Sequence, residues 1–488
     1  MFNEFAGATA EDMLGNGVVR GLYEQLQAQQ PAYQKIDAYM RGEHPLTFAT
    51  EKFSNAFGLL FRAYANNYCK RIVAALSDYL QLSRLSTPDA RAQAVLDDFW
   101  DRQRLDMQSG RVHADAFTYG DGYAIVERDS AGSLRFYQQN CRTVRVLYSA
   151  EQPDRIVLAV KLWQRLDKAW RLNVYAPGLV YRYQTKDGRR ISDTSPMPSR
   201  LEHDFLPLNQ PGEAPVLRTA SDILPVFHWP NEPGGDGLGT SELNDLFPLQ
   251  DALNKTGCDK MVGMEFMALP QRYATGIEVD VDEATGKTRA PMVSAADRLF
   301  FSGNENARFG AFPVTDAQSF LEIEQNLKHD MAALARVPLH HIMMGNGQFP
   351  SGESLKTSEQ PLIAKIRDRQ VTWGEAWERV GSYVLEVNGL SKEGDARDPE
   401  AEWQDLTPRS DVERSQAELN TVNAKAVKLS LGVSEKQILA ELGYTDDQIQ
   451  QFAADNQITA EAAAAKMLQT LTKEAGAKDV APVAAPAG

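Results

Sequence analysis

The chain has 488 residues, 43% of them apolar and 24% charged, ordinary globular usage with length enough for about two to four domains and well-filled cores. Its formal charge of −15 excludes a protein that wraps a basic surface around nucleic acid, because phosphate affinity comes mainly from lysine and arginine. The most apolar stretches, such as 261–269, fall far short of the ~20 residues a bilayer requires. The opening Met1-Phe2-Asn3-Glu4-Phe5 has neither the basic nor the apolar region of a secretory leader, so cytoplasmic synthesis is expected.

In chain order, residues 1–30 read as short helical pieces. A helix closes at Gly42, an amphipathic one runs through 66–76, and a further helical run covers 89–118. From Tyr119 the apolar period changes to two. Residues 122–128 and 133–136 form a hairpin about the turn 129–132, and strands follow at 143–148, 155–164, 170–175 and 180–184. This α+β region ends near the glycine break at 231–235. Residues 241–267 then read as helix, with Leu246, Leu249, Leu253, Gly257, Lys260 and Met264 on one face and a kink or true start at Pro248. Gly257 and Gly263 would admit a close neighbour. Residues 270–314 form an insert of short strands and turns. A returning helix opens on a Thr315/Gln318 capping box and carries Phe320, Ile323, Leu327, Met331 and Leu334 at intervals of 3, 4, 4 and 3, ending at Pro338. Helix, insert and helix make a stalk with a small head. A last long helix carries Leu362, Ile366, Trp373, Trp377, Val380 and Val384, with a kink at Pro361 and a stop at Asn388-Gly389. Beyond Thr407 the composition turns to helix formers, and 476–488 is an Ala/Pro/Val/Gly tail expected to be disordered.

Between the last two long helices lies Gly345-Asn346-Gly347-Gln348-Phe349-Pro350-Ser351-Gly352, a glycine-rich loop held out by a rigid frame. Gly347 and Gly352 have the spacing of a phosphate cradle, but Glu353 stands where that motif needs lysine, and a helix end precedes it instead of a strand. Cys69, Cys141 and Cys258 are widely separated and read as buried thiols. His340-His341 is the only adjacent histidine pair, and the sequence shows no nearby acidic partner to complete a metal site. No arrangement of nucleophile, base or ligand stands out, so neither catalytic residue, metal nor cofactor is expected.

Several segments occur in an order that resembles the portal proteins of tailed bacteriophages, in the long-tailed type. They are the stretch 39–45, resembling the family's "YY-G" opening; the helix 67–80; Gly120-Asp121-Gly122-Tyr123, resembling its "G-x-x-Y" strand entry; Phe227-His228-Trp229-Pro230-Asn231; Gly239-Thr240-Ser241-Glu242-Leu243; and Leu249-Gln250-Asp251-Ala252-Leu253-Asn254. Most specific is Ser351-Gly352-Glu353-Ser354-Leu355-Lys356, resembling "SG-x-A-L-K", with Ser354 where the family usually has alanine.

The resemblance implies an α+β portal fold: an N-terminal segment (1–29), an α/β wing (30–235), stem helices (236–269 and 316–338) and a small β-containing clip (270–315). After these come a channel loop (339–354), a long kinked helix with a wing return (355–406), a helical crown (407–475) and a tail. It implies a homo-oligomeric, dodecameric ring at one capsid vertex of the virion, a channel for double-stranded DNA, and contacts with terminase large subunit, head-tail adaptor, major capsid and scaffold proteins, without a membrane. Asn346, Gly347, Gln348, Phe349 and Ser351 would face DNA in the channel loop. Lys328, Lys356, Lys365 and Arg367 are candidate channel cations, with solvated helix faces or subunit salt bridges as the plainer role. Arg272, Lys287, Arg289 and Arg298 of the clip would dock terminase or adaptor. The alternatives are another virion structural protein, such as a minor head or coat protein, and a nucleotide-dependent enzyme, which the missing lysine disfavours.

Overall fold

The computed structural model describes residues 8–64, 66–129, 131–166, 169–186, 198, 200–210, 213–219, 221–268, 272–276, 304–312, 317–343, 352–390 and 398–406. The chain divides into two units, residues 1–86 with 94–404, and residues 87–93 with 405–488. In the second, Asp89 accepts from the backbone N–H groups of Arg91 and Ala92 at 2.8 and 2.9 Å and so caps a helix start. The expected crown and tail lie outside the described residues.

The larger unit begins with α1 (Ala10–Leu14), α2 (Gly17–Ala28) and α3 (Gln30–Arg41). A Thr9/Asp12 capping box starts α1, Asn16 caps α2, and Gly42, left-handed at φ 79°, stops α3. Next come α4 (Glu51–Tyr64), α5 (Tyr68–Tyr79), β1 (Leu82–Ser86), α6 (Ala90–Gln103, of which residues 94–103 belong to this unit) and α7 (Leu105–Tyr119). The strands β2 (Asp121–Arg128), β3 (Leu134–Gln139), β4 (Val144–Tyr148), β5 (Ile156–Gln164), β6 (Trp170–Ala176) and β7 (Leu179–Thr185) follow, then α8 (Leu201–Asp204), β8 (Phe205–Pro207), β9 (Val216–Arg218) and β10 (Val226–Pro230). The expected hairpin and strands are all present.

Strands β4 to β8 form one antiparallel sheet in sequence order, with β9 also on β7. Its buried face, including Leu158, Val160, Leu162, Leu172, Val174 and Tyr183, is covered by Met13, Leu14, Val19, Leu22, Tyr23 and Leu26. Tyr183 and Tyr181 donate their hydroxyls to the carbonyls of Ala10 and Ala8 at 2.6 and 3.2 Å. Residues 10–28 therefore share the sheet's core. A helix stripe shows in sequence that something is covered, but not which surface.

A second sheet, ordered β10-β2-β3, packs on α7 and on α12 (Gly352–Val387). Here Trp229, Trp373 and Trp377 are fully buried. His113 stacks on Trp373 at 5.3 Å and accepts from Trp377 Nε1 at 2.9 Å, which leaves its Nδ1–H to donate to the Leu80 carbonyl at 3.2 Å. The geometry thus assigns one neutral tautomer, and burial holds the imidazole pKa down to about 3 against 6.5. A group with a depressed folded pKa binds its proton more readily when unfolded. Stability should therefore be full above about pH 6.5 and fall by ~1.4 kcal/mol for each pH unit between there and about pH 3, beyond what the carboxylates add. Denaturation midpoints against pH, compared with His113→Gln, check this: the variant's curve should be shallower in that window, and parallel curves would remove His113 from the account.

The stalk is α9 (Phe247–Ala268), the strand pair β11 (Arg272–Thr275) and β12 (Arg308–Ala311), and α10 (Ala317–Ala335). The helix starts at Phe247, one residue before Pro248, so the proline marks a true start. The expected α10 stripe divides. Met331 is buried, while Ile323 is 48% and Leu334 56% exposed, as are Met264 at 51% and Leu321 at 41%. A stripe wider than one partner helix can cover leaves an apolar face open in a single subunit. The end of α10 has Arg336 in the left-handed region at φ 56°, its N–H and that of Val337 bonding back to Ala333 and Ala332. After α11 (Leu339–Ile342), α12 runs 36 residues with Pro361 inside it and stops on left-handed Gly389, as expected. β13 (Glu400–Trp403) returns to pair with β1.

Candidate functional site

Most of the segments that carried the resemblance, though not 351–356, meet in two buried polar seams. The first joins the end of α7, the start of β2, the loop after β10 and α12. Gly120 and Gly239 lie back to back. A Cβ built on Gly239 would stand 1.9 Å from the Gly120 carbonyl oxygen, and one on Gly120, at φ 93°, 2.6 Å from the Gly239 oxygen. This approach lets Asn231 N–H reach the Gly120 carbonyl at 2.7 Å and Gly239 N–H reach Asp121 Oδ1, also at 2.7 Å. The same carboxylate takes His228 Nε2 at 2.8 Å and Arg145 at 3.4 Å. Ser241 donates to the Thr118 carbonyl, and Asn231 Nδ2 bridges Thr240 and Glu242.

From α12, Lys365 Nζ reaches Glu242 at 2.5 Å and the Ala335 carbonyl at 3.3 Å, while Arg369 Nε donates to Asn231 Oδ1 at 2.7 Å and its Nη2 to Glu232 at 2.9 Å. Lys365 and Arg369 thus tie the end of α10 and the 231–243 loop to one helix, and Trp373 Nε1 adds β10 through the Pro230 carbonyl at 2.8 Å.

The second seam sits at the root of α9. Asp251 accepts from Tyr39 at 2.7 Å and from Thr47 at 2.5 Å; Gln250 accepts from Tyr68 N–H and donates to the Asn66 carbonyl, both at 2.8 Å; Asn254 bonds Asn66 N–H and His44 at 2.9 and 3.0 Å. Asn67 closes the set, capping α5 and donating to the Tyr39 and Met40 carbonyls. The hydrogen bonds of Gln250, Asp251 and Asn254 all cross between distant parts of the chain, so α9 is rooted by polar groups that would be costly to leave unmade.

The candidate channel cations differ in exposure. Lys365 is 5% exposed and paired with Glu242 within the subunit, the salt-bridge role that was its plainer reading. It lies in phase with Leu362, Ile366 and Trp373 on the buried stripe, as does Arg369, which the sequence reading did not single out. Charges at core-phase positions were the signal available. Lys328 is half-buried, 4.0 Å from Glu324 and 5.4 Å above the Tyr68 ring. Lys356 and Arg367 are exposed on α12, and Arg272 is exposed on β11. Asn346, Gly347, Gln348, Phe349, Ser351, Lys287, Arg289 and Arg298 lie outside the described residues. Lys260 pairs with Glu324 at 2.6 Å between the two stalk helices, and the Phe320 ring lies against Gly263. The sequence showed no acidic partner for His340-His341, but the fold supplies one, Glu359 of α12.

The chain belongs to the phage portal protein family of the SPP1 Gp6-like type, whose family model matches residues 22–462. Curated relatives named portal protein occur in Mycobacterium phage L5, 24% identical over 301 residues, and Mycobacterium phage D29, 23% identical over 305. Each match covers 60% of this chain and 59% of the relative. A chain in the solved structure titled neck of an empty GTA particle computed with C6 symmetry is 13% identical, covering 76% of this chain and 91% of that one, at a TM-score of 0.44.

Proposed function

We propose that this chain is the subunit of a closed homo-oligomeric ring, a dodecamer, at one vertex of a phage head, through which double-stranded DNA is packaged and later ejected. The family match across 22–462 carries the reading. The open apolar face of the stalk, with Met261, Met264, Met267, Leu321 and Ile323, supports it, because a copy of the same chain set beside it would cover that face. An acidic subunit, at −15 overall, suits a passage along which DNA must move without sticking. The role is structural, with no catalytic step and no cofactor. Among the described residues no helix is long and apolar enough to cross a membrane.

On this reading residues 345–352 of the channel loop face the DNA, with Phe349 as apolar contact and Asn346 and Gln348 as sequence-blind partners of phosphate. The β11–β12 end of the stalk docks terminase and adaptor through Arg272, Lys287, Arg289 and Arg298. Major capsid and scaffold proteins surround the ring. A packaging assay on assembled rings tests both assignments. Deleting residues 347–351 should leave rings intact and impair DNA packaging or retention, and charge reversal at Lys287 and Arg289 should leave rings intact and weaken terminase or adaptor binding. Loss of the ring in either variant would make the altered segment a subunit clasp instead.

A further inference from the structure

His340 and His341 end α11 and Glu359 lies in the early turns of α12, so the segment 344–351 falls between them in sequence. Their ligand atoms all lie within 4.8 Å of one another, the one such set among the described residues. His340 Nε2 is 3.4 Å and His341 Nε2 3.9 Å from Glu359 Oε1. Ligands of a tetrahedral zinc ion stand about 3.3 Å apart, given bond lengths of about 2.0–2.1 Å, so the His340–Glu359 separation already fits, and the remaining separations, none above 4.8 Å, need to close by at most about 1.5 Å for the three atoms to share an ion.

We propose that His340, His341 and Glu359 bind one divalent transition metal ion, zinc by the preference of an imidazole and carboxylate set, with water in the remaining position. The surroundings are arranged as for ligands. Tyr79 donates its hydroxyl to Glu359 Oε1 at 3.1 Å, the kind of outer contact that orients a ligating carboxylate. Arg71 Nε holds the His341 carbonyl at 2.8 Å and fixes the backbone that carries both rings. The side chains are 34%, 22% and 14% exposed, which leaves an entry path from solvent. A lone ion pair would need only one of the two histidines; the convergence of both on a single carboxylate oxygen is what favours a metal. A bound ion would tie α11 to α12 across the segment between them. That consequence bears on DNA only if the portal reading holds, whereas the binding itself does not depend on it.

The test is equilibrium dialysis of the full chain, stripped with chelator, against zinc, followed by elemental analysis, with cobalt absorption as a second readout of tetrahedral ligation. About one ion per chain is expected, lost in His340→Ala/His341→Ala and in Glu359→Gln. Tyr79→Phe, which removes only the orienting hydroxyl, should weaken binding about tenfold. Far-UV circular dichroism of each stripped variant establishes that it is folded. Should the double variant fail to fold, Glu359→Gln and Tyr79→Phe still decide the matter. A parent chain that takes up no zinc, or variants that hold it as tightly as the parent, would overturn the proposal.

Discussion

Replacing Gly239 with alanine should leave little folded protein. The added methyl would stand 1.9 Å from the Gly120 carbonyl oxygen and 2.6 Å from the Asn231 nitrogen, both of them backbone atoms that cannot swing aside. Relief requires separating the loop from the end of α7. That breaks the Asn231 bond to Gly120 and the Gly239 bond to Asp121, and leaves Asp121, 3% exposed, short of a donor beside His228 and Arg145. Overpacking together with unmade buried hydrogen bonds puts the cost on the order of 4 kcal/mol or more, a large share of a domain's 5–15 kcal/mol. Gly235 is the control, because a Cβ there meets nothing within 4 Å and its φ is ordinary. Gly235→Ala should change stability by no more than about 0.5 kcal/mol. Soluble yield and the midpoint of chemical denaturation report both, and a Gly239→Ala protein as stable as its parent would refute the close approach.

Lys365→Met should cost about 3–5 kcal/mol, the usual penalty for removing one partner of a buried ion pair. Glu242, 7% exposed, would keep only the Asn231 amide as a named donor, and the Ala335 carbonyl at the end of α10 would lose its ammonium. Adding Glu242→Gln removes the stranded charge while keeping an acceptor for Asn231, so the double variant should recover part of the loss, and the difference measures the coupling. A lysine that served only to face DNA would behave otherwise. Its replacement would leave subunit stability unchanged and alter DNA passage alone, and that pattern in denaturation and packaging assays would restore the channel role for Lys365.

How much was legible in the sequence differs by kind of feature. The period-two strands from β2 to β7, the stop at Gly389 and the pairing of α9 with α10 follow from local pattern, because strand alternation and helix caps act over a few residues. The seams do not. Asp251, Gln250 and Asn254 look like the polar side of a helix, and only the fold shows that Tyr39, Thr47, Asn66 and His44 meet them. Lys365 read as a surface cation because lysine is seldom buried, and its partner Glu242 lies 123 residues away. Glu359 escaped attention beside His340 and His341 for the same reason, since side chains on two separate helices converge only in three dimensions. The resemblance fared better than the residues read singly, because it rested on the order of whole segments. The first seam gives a physical reason for Gly120, Asn231, Gly239 and Glu242, and the second for Asn67 and the 249–254 stretch.

On the proposed function, the stalk's open apolar face is completed only by further copies of the chain. The most direct measurement is electron microscopy of the purified full-length protein, with mass determination over a range of concentrations. Closed rings with an axial hole and a single high mass are predicted, and substitution of Ile323 and Met264 by aspartate should disperse them into folded subunits. A parent chain that stays a folded monomer at every concentration, with Met264, Leu321, Ile323 and Leu334 exposed to water, would contradict it.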